Sequence, residues 1–174
     1  MQSGTATVRQ ATRQDLEMIL EIYNDAITHT TAVYHYEPYS PEKFEAWWQQ
    51  KTRQKLPVLV AESGGQVTGF CSYGPFRPHA GYLYTAETSV YVHKDFRGHG
   101  FSKMLYAELI KEARKNKIHV LVAGVDARNQ TSINLHRKFG FEVAGTLKSV
   151  GYKFGQWLDL TFMQLILAHT KDNV

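Results

Sequence analysis

Cysteine is nearly absent from this chain: Cys71 is the single one among 174 residues. One thiol excludes an internal disulfide framework and any metal site built from several cysteines. Proline is sparse as well, at five positions, and no Ser/Pro-rich linker, internal repeat or low-complexity stretch divides the chain. One domain over 1–174, with an ordered core at about 6–168, is therefore expected. No run approaches the roughly 20 apolar residues that a membrane-spanning helix requires. Met1-Gln2-Ser3-Gly4-Thr5 has neither a basic start nor an apolar stretch, so no secretory leader is expected and the cytoplasm is the expected location. The eight histidines show no His-x-x-x-His or comparable ligand spacing, so no metal is expected.

What is present is the composition of a folded globule, 43% hydrophobic and 21% charged. Charge is unevenly distributed. Residues 1–90 carry 7 Lys and Arg against 9 Asp and Glu, whereas residues 91–174 carry 13 against 7. The basic second half suits either an anionic partner or a solvated basic face. No run of like charge reads as an arm, and no aromatic-interleaved basic stripe marks nucleic acid, so no nucleic acid partner is expected.

Capping residues and apolar spacing predict the elements. Thr12-Arg-Gln-Asp15 has the form of a capping box, and Leu16, Ile19, Leu20, Tyr23 and Ile27 follow at helical spacing, predicting a helix over 13–28. Ser40-Pro41 starts a second helix with Phe44, Trp47 and Trp48 on its apolar face. Strands are predicted over 57–62 and 66–73, joined by Gly64-Gly65, and over 84–93. A loop at 94–100 leads into a helix over 101–115, then a strand over 119–125 whose continuous apolar run implies burial on both faces. A short helix at 131–138 and strands near 141–149 and 157–167 complete an α/β (α+β) chain with a mixed central sheet flanked by helices.

The segment richest in chemistry runs from Val90 to Ser102. A strand passes into a basic turn, Arg97-Gly98-His99-Gly100, which opens a helix. Glycines let backbone N–H groups approach an anion without a Cβ in the way, and the helix N-terminus adds its positive dipole end. That combination suits a pyrophosphate, although neither Gly-x-x-x-x-Gly-Lys-Ser/Thr nor Gly-x-Gly-x-x-Gly is met. A merely tight turn is the other reading of the spacing.

Arg97-Gly-His-Gly100-Phe-Ser102 resembles the Arg/Gln-x-x-Gly-x-Gly/Ala acyl-CoA loop of the GNAT N-acetyltransferases, with Ser102 in place of the last Gly or Ala. Asn129-Gln-Thr-Ser132-Ile-Asn-Leu-His136-Arg-Lys-Phe-Gly140-Phe141 is similar to a second segment of that superfamily. Tyr23-Asn-Asp-Ala26, Thr30-Thr31, Glu87-Thr-Ser-Val-Tyr-Val92, Leu135-His136-Arg137 and Gly151-Tyr-Lys-Phe-Gly-Gln-Trp-Leu-Asp159 look like its phosphinothricin and methionine sulfoximine/sulfone acetyltransferase branch. The resemblance covers nearly the whole chain. It implies a GNAT fold, acetyl-CoA as co-substrate, acetylation of the α-amine of a small glutamate- or methionine-like amino acid, and a homodimer.

Under that resemblance each site residue takes a role. Val90, Tyr91 and Val92 offer strand-edge backbone groups to pantetheine and the thioester oxygen; oriented donors of this kind contribute about 3 kcal/mol. Arg97, Gly98, His99, Gly100, Phe101, Ser102 and Lys103 form the cofactor loop, joined by Asn129 and Ser132. Glu87 is the expected proton acceptor for the substrate ammonium, against a plain strand carboxylate. His136 stands where many relatives carry the acid for the thiolate, against a histidine satisfied by a core hydrogen bond. Arg77, Pro78 and His79, with Thr88, Ser89, Tyr34 and Lys153, are the expected substrate side; the Arg77 guanidinium suits an oxyanion. Cys71 is remote in sequence from these groups, so direct attack in a ternary complex is expected. The rival readings are acetylation of a protein N-terminus, lysine or polyamine, and a non-catalytic acyl-CoA-binding sensor.

Overall fold

A computed structural model describes residues 6–167. The leader reading of Met1–Thr5 and the expected end of the ordered core at residue 168 lie outside the described residues. Among the described residues seven strands and four α-helices follow one another as β1 (Thr7–Gln10), α1 (Leu16–His29), α2 (Pro41–Arg53), β2 (Val58–Ser63), β3 (Gln66–Pro75), β4 (Thr85–Val92), α3 (Phe101–Lys115), β5 (Val120–Asp126), α4 (Gln130–Lys138), β6 (Glu142–Lys153) and β7 (Gln156–Ile166). The strands form one mixed sheet in the order β1-β2-β3-β4-β5-β7-β6. Strands β4 and β5 run parallel, while β1–β2, β2–β3, β5–β7 and β6–β7 are antiparallel pairs. By contacts the chain forms two compact units: residues through Tyr73 with Ser89–Leu109, and Gly74–Thr88 with residues from Ile110 on.

In the first unit the amphipathic helices bury the stripe that their spacing predicts. Ile19 and Ile22 of α1 and Phe44 of α2 pack with Val58, Val60, Val67 and Phe70 of the sheet, and Tyr23, Trp47, Trp48 and Tyr91 close around them. Ser40 caps α2 by accepting the Lys43 N–H at 3.3 Å. The chain enters α1 through one 3-10 turn over Arg13–Asp15, so the α-helix proper starts at Leu16. Strand β1 is unforeseen by the sequence reading. Its central Arg9 is placed by charge: the guanidinium donates to Glu62 Oε2 at 2.8 Å and to both Asp15 oxygens at 2.8 and 2.9 Å. That guanidinium, aided by the Thr12 N–H and hydroxyl, holds the Asp15 carboxyl down at about 2.

Gly69 is required by a close approach of backbones. A Cβ there would lie 2.7 Å from the Tyr91 carbonyl oxygen and 3.2 Å from Val92 Cα. This lets the end of β4 pack directly onto β3.

In the second unit β5 buries Leu121, Ala123 and Val125 on one face and Val122 on the other, where Gly124 is exposed, so the expected burial of both faces holds only in part. Strands β6 and β7 form a longer hairpin than expected, because Phe154 and Gly155 take φ of 52° and 73° and turn the chain in two residues. The pairing of β6 slips twice, between Val143 and Gly145 and between Leu147 and Gly151. Asp159 pins the second slip, accepting the Ser149 N–H at 2.8 Å and the Lys148 ammonium at 2.9 Å.

Candidate active site

The Arg97–Gly100 turn follows β4 within the first unit. His93 donates its backbone N–H to Thr68 at 2.9 Å, and one 3-10 turn over Lys94–Phe96 leads to the glycines. Gly98 and Gly100 have φ of 82° and 88°, and no atom of the chain lies within 4 Å of a Cβ built on either. Backbone conformation, not crowding inside the protein, is therefore what demands glycine here. Helix α3 starts at Phe101, with Lys103 and Met104 donating back to the Gly100 carbonyl at 3.0 and 3.3 Å. Phe101 itself turns inward, 7% exposed, with its ring edge-on to Phe96. What it offers a ligand is its main chain. Lys103 and His99 are exposed, and His99 Nδ1 lies 3.0 Å from the Arg97 carbonyl oxygen. The resulting turn, a glycine-shaped loop at a helix N-terminus, is suited to the phosphates of an acyl-CoA.

Glu87 belongs to the second unit. On β4 its neighbours Ala86 and Thr88 are buried, so the alternation of the pleat puts Glu87 on the opposite, exposed face. Thr88 accordingly directs its hydroxyl into the sheet, donating to the Val122 carbonyl at 3.2 Å, away from the face of Glu87. Ser89, in the first unit, donates to Ser72 at 3.5 Å. Glu87 Oε1 rests 3.6 Å from the place a Cβ on Gly124 would occupy, and Leu160 and Phe162 border the same spot. Seated against this apolar wall, the carboxyl is pushed above the usual glutamate range by desolvation, and the Arg77 charge partly opposes the rise. A carboxylate with raised proton affinity is suited to accept a proton from an ammonium ion.

Arg77 is exposed and lies 4.7 Å over the Phe76 ring, whose edge contact with Tyr82 fixes its plane. Pro78 and His79 lead into a short 3-10 turn over Ala80–Tyr82. Lys153 is 3% exposed at the end of β6, with its ammonium 4.9 Å from the Phe154 ring and its pKa lowered by burial. Tyr34 is half-buried in the first unit, on the segment after α1.

Asn129 caps α4: its Oδ1 accepts the Ser132 N–H at 3.0 Å. His136 is 5% exposed, one turn further on, with its ring edge against Phe141. Its Nδ1 lies 2.7 Å from the Ser132 carbonyl oxygen and 3.4 Å from the Ser132 hydroxyl. The carbonyl can only accept, so Nδ1 carries the proton. Burial lowers the pKa of this ring, and the Ser132 contact only partly restores it. At neutral pH the ring is uncharged with its proton engaged, which is the geometry of a histidine satisfied within the core.

Cys71 is fully buried, its thiol donating to the Leu105 carbonyl at 3.5 Å, and desolvation raises its pKa. It offers no thiolate nucleophile. Among the described residues no group of three or more His, Cys, Asp and Glu side chains is arranged to hold a metal ion, and no helix is long and apolar enough to cross a membrane. Two contributors escaped the sequence reading. Gly124 makes room for the Glu87 carboxylate, and a glycine inside an apolar strand run is the sign that marks such an approach. The other, Asp25, bonds Arg97.

Known proteins share this fold. A sequence profile of the acetyltransferase (GNAT) domain matches residues 8–162. An L-methionine sulfoximine/L-methionine sulfone acetyltransferase of Pseudomonas aeruginosa is 46% identical over 168 residues, 96% of this chain and 98% of its own length. A structure described as ribosomal-protein-alanine N-acetyltransferase of Brucella melitensis is 52% identical with a TM-score of 0.91, covering 92% of this chain and 99% of its own. A phosphinothricin acetyltransferase of Sinorhizobium meliloti, in complex with acetyl-CoA, is 33% identical with a TM-score of 0.93, covering 98% of this chain and 92% of its own. The chain belongs to the GNAT acetyltransferase family.

Proposed function

We propose that this chain is an acetyl-CoA-dependent N-acetyltransferase that acylates the α-amine of a small glutamate- or methionine-like amino acid, working as one acetyltransferase domain. The substrate class is carried by the Glu87 carboxyl seated against Gly124, Leu160 and Phe162, with the Arg77 charge acting on it within the same unit. An amino acid of the methionine sulfone or phosphinothricin type brings an ammonium group together with anionic or strongly polar oxygens. Glu87 answers the first and Arg77 the second. A polyamine offers nothing to a guanidinium. The methionine sulfone and phosphinothricin acetyltransferases among the relatives support the same reading.

In this mechanism acetyl-CoA supplies an activated acetyl group; the backbone of Arg97 to Lys103 would hold its phosphates, and that of Val90, Tyr91 and Val92 its pantetheine arm. Glu87 removes one proton from the substrate ammonium, freeing the nitrogen lone pair for attack on the thioester carbon. The N–C bond forms as the C–S bond breaks, and the nitrogen gives up its second proton to water as it becomes an amide. Arg77 orients the acceptor through its oxygens, supported by Pro78, His79 and Lys153. The neutral ring of His136 keeps its Nδ1 proton on the Ser132 carbonyl and shapes the start of α4, so the departing sulfur takes its proton from water. The burial of Cys71 supports direct transfer over an acetyl-cysteine intermediate.

A homodimer in the cytoplasm, where acetyl-CoA is available, completes the reading. Strand β6 pairs only with β7 among the described strands and is exposed from Glu142 through Val150. Leu147, Val150 and Tyr152 stand on it, and Trp157 on β7, 66% exposed, packs edge-on against Tyr152. An edge strand with this much uncovered apolar surface is best satisfied by a second copy of itself.

Release of free thiol from acetyl-CoA, measured against a panel of acceptors, tests the substrate class. Methionine sulfone, methionine sulfoximine or phosphinothricin should react far faster than spermidine, a lysine peptide or a peptide with N-terminal alanine. Preference for the alanine peptide would transfer the reading to protein N-termini, the activity for which the Brucella melitensis protein is named.

A further inference from the structure

Helix α1 carries two adjacent polar residues, Asn24 and Asp25, whose side chains tie down different parts of the first unit. Asn24 closes a two-way bond with the Tyr39 backbone: its Nδ2 donates to the Tyr39 carbonyl at 3.0 Å, and its Oδ1 accepts the Tyr39 N–H at 2.8 Å. Asp25 turns to the Arg97 turn. Its Oδ2 accepts from the Arg97 guanidinium at 3.0 Å across 72 residues of sequence, and its Oδ1 lies 3.1 Å from His29 Nδ1. The carboxylate is mostly covered, with 19% of its side chain exposed.

We propose that Asp25 is a positioning residue for the cofactor loop, acting through Arg97. The inference rests on the acetyl-CoA reading above. Arg97 stands immediately before two glycines in left-handed conformations, the part of the chain with the most backbone freedom to lose when an anion is bound. A loop whose N–H groups are already ordered binds more tightly than one that must be ordered by the ligand. Arg97 supplies that order from behind: its guanidinium reaches Asp25, and its Nε reaches the Val92 carbonyl at 3.4 Å at the end of β4. The side chain thus fastens the turn to α1 and β4 while the main chain faces the phosphates. Asp25 sets that anchor, so the binding loop and the first helix behave as one piece.

The charge of Asp25 makes the idea decidable by sign. A carboxylate near a polyphosphate repels it, so removing the charge should tighten coenzyme A binding if Arg97 simply attracts the phosphates. Positioning demands the reverse. Calorimetric titration of the full chain with coenzyme A should give a Kd about three- to tenfold higher for Asp25→Asn. The rise should appear in the acetyl-CoA KM, with kcat at saturating acetyl-CoA and the amino acid KM unchanged. Asp25→Asn in an Arg97→Gln background should add nothing further, and Asp25→Glu should recover part of the loss. His29→Gln, which removes only the second partner, should bind coenzyme A like the parent protein. A thermal unfolding midpoint for each variant separates loss of loop order from loss of fold, since a general loss of fold lowers kcat as well. Unchanged or tighter binding by Asp25→Asn, or additive effects with Arg97→Gln, overturns the positioning role. Failure of the parent protein to bind coenzyme A overturns the acetyl-CoA reading itself.

Discussion

The two chemical regions of this chain are built from different materials. The proposed cofactor turn is a main-chain site: Gly98 and Gly100 set its path, Arg97 is fastened to Asp25 and Phe101 faces inward. The proposed acceptor region is a side-chain site, where Glu87 and Arg77 carry opposite charges and a glycine on the next strand gives the carboxylate its seat. A backbone site is indifferent to pH, because amides do not titrate between pH 4 and 10, and it tolerates most substitutions except those that alter φ. A carboxylate site responds to every proton and neighbouring charge.

The comparison breaks most severely at Glu87. Glu87→Gln keeps the shape and removes the proton acceptor, so kcat/KM for the amino acid should fall by about 10²–10⁴-fold. Coenzyme A binding should be unchanged. In the parent protein activity should fall as pH drops through the raised pKa of Glu87, at a higher pH than an ordinary glutamate would show. Protonation there removes the base, so the sign is loss toward acid. Glu87→Gln should flatten that acidic limb, and a limb that survives intact assigns it to another group.

A smaller effect is expected on the backbone side. Gly100 sits at φ 88°, where a residue with a Cβ is strained by about 1–2 kcal/mol. With no protein atom near the added methyl group, Gly100→Ala should fold normally. Its cost falls on the loop conformation, so the acetyl-CoA KM should rise about 5- to 30-fold. The amino acid KM and the acidic limb should stay where they are. Parallel changes in both substrates' KM values would show that the two regions are not separable in this way.

How much of this was legible beforehand follows from how local each cause is. Ser40-Pro41, the glycines of the turn and the apolar stripe of α1 act within a few residues, and the elements they predict are present. The fold class was legible for the same reason, since element order follows from such local cues. Strand β1 was not, because Arg9 owes its place to Glu62, more than fifty residues away. The full length of β6 was hidden behind a turn that puts a phenylalanine at φ 52°, which sequence statistics disfavour. At the site, Glu87 could be named but its raised proton affinity could not. That property needs Gly124, Leu160 and Phe162, which only the strand register brings beside it. The side chain of Thr88 lies on the opposite face from Glu87, because neighbouring residues of a strand alternate.

The smallest kinetic effect should come at His136, which the motif makes prominent and whose Nδ1 is engaged by the Ser132 carbonyl. Its proton lies on the Ser132 carbonyl and burial disfavours the imidazolium, so His136→Phe should change kcat by no more than about threefold. A general acid would cost roughly 10²-fold or more. Stability is where the residue should be felt. The folded pKa lies below the unfolded value of 6.5, so near and below pH 6.5 the unfolded chain binds a proton that the native ring refuses. Acidification through that window should therefore lower the unfolding midpoint of the parent protein, until the pH falls beneath the folded pKa and the difference stops growing. In His136→Phe this contribution should vanish from the slope of midpoint against pH. A steep fall in kcat without a change in that slope would return the ring to the chemistry.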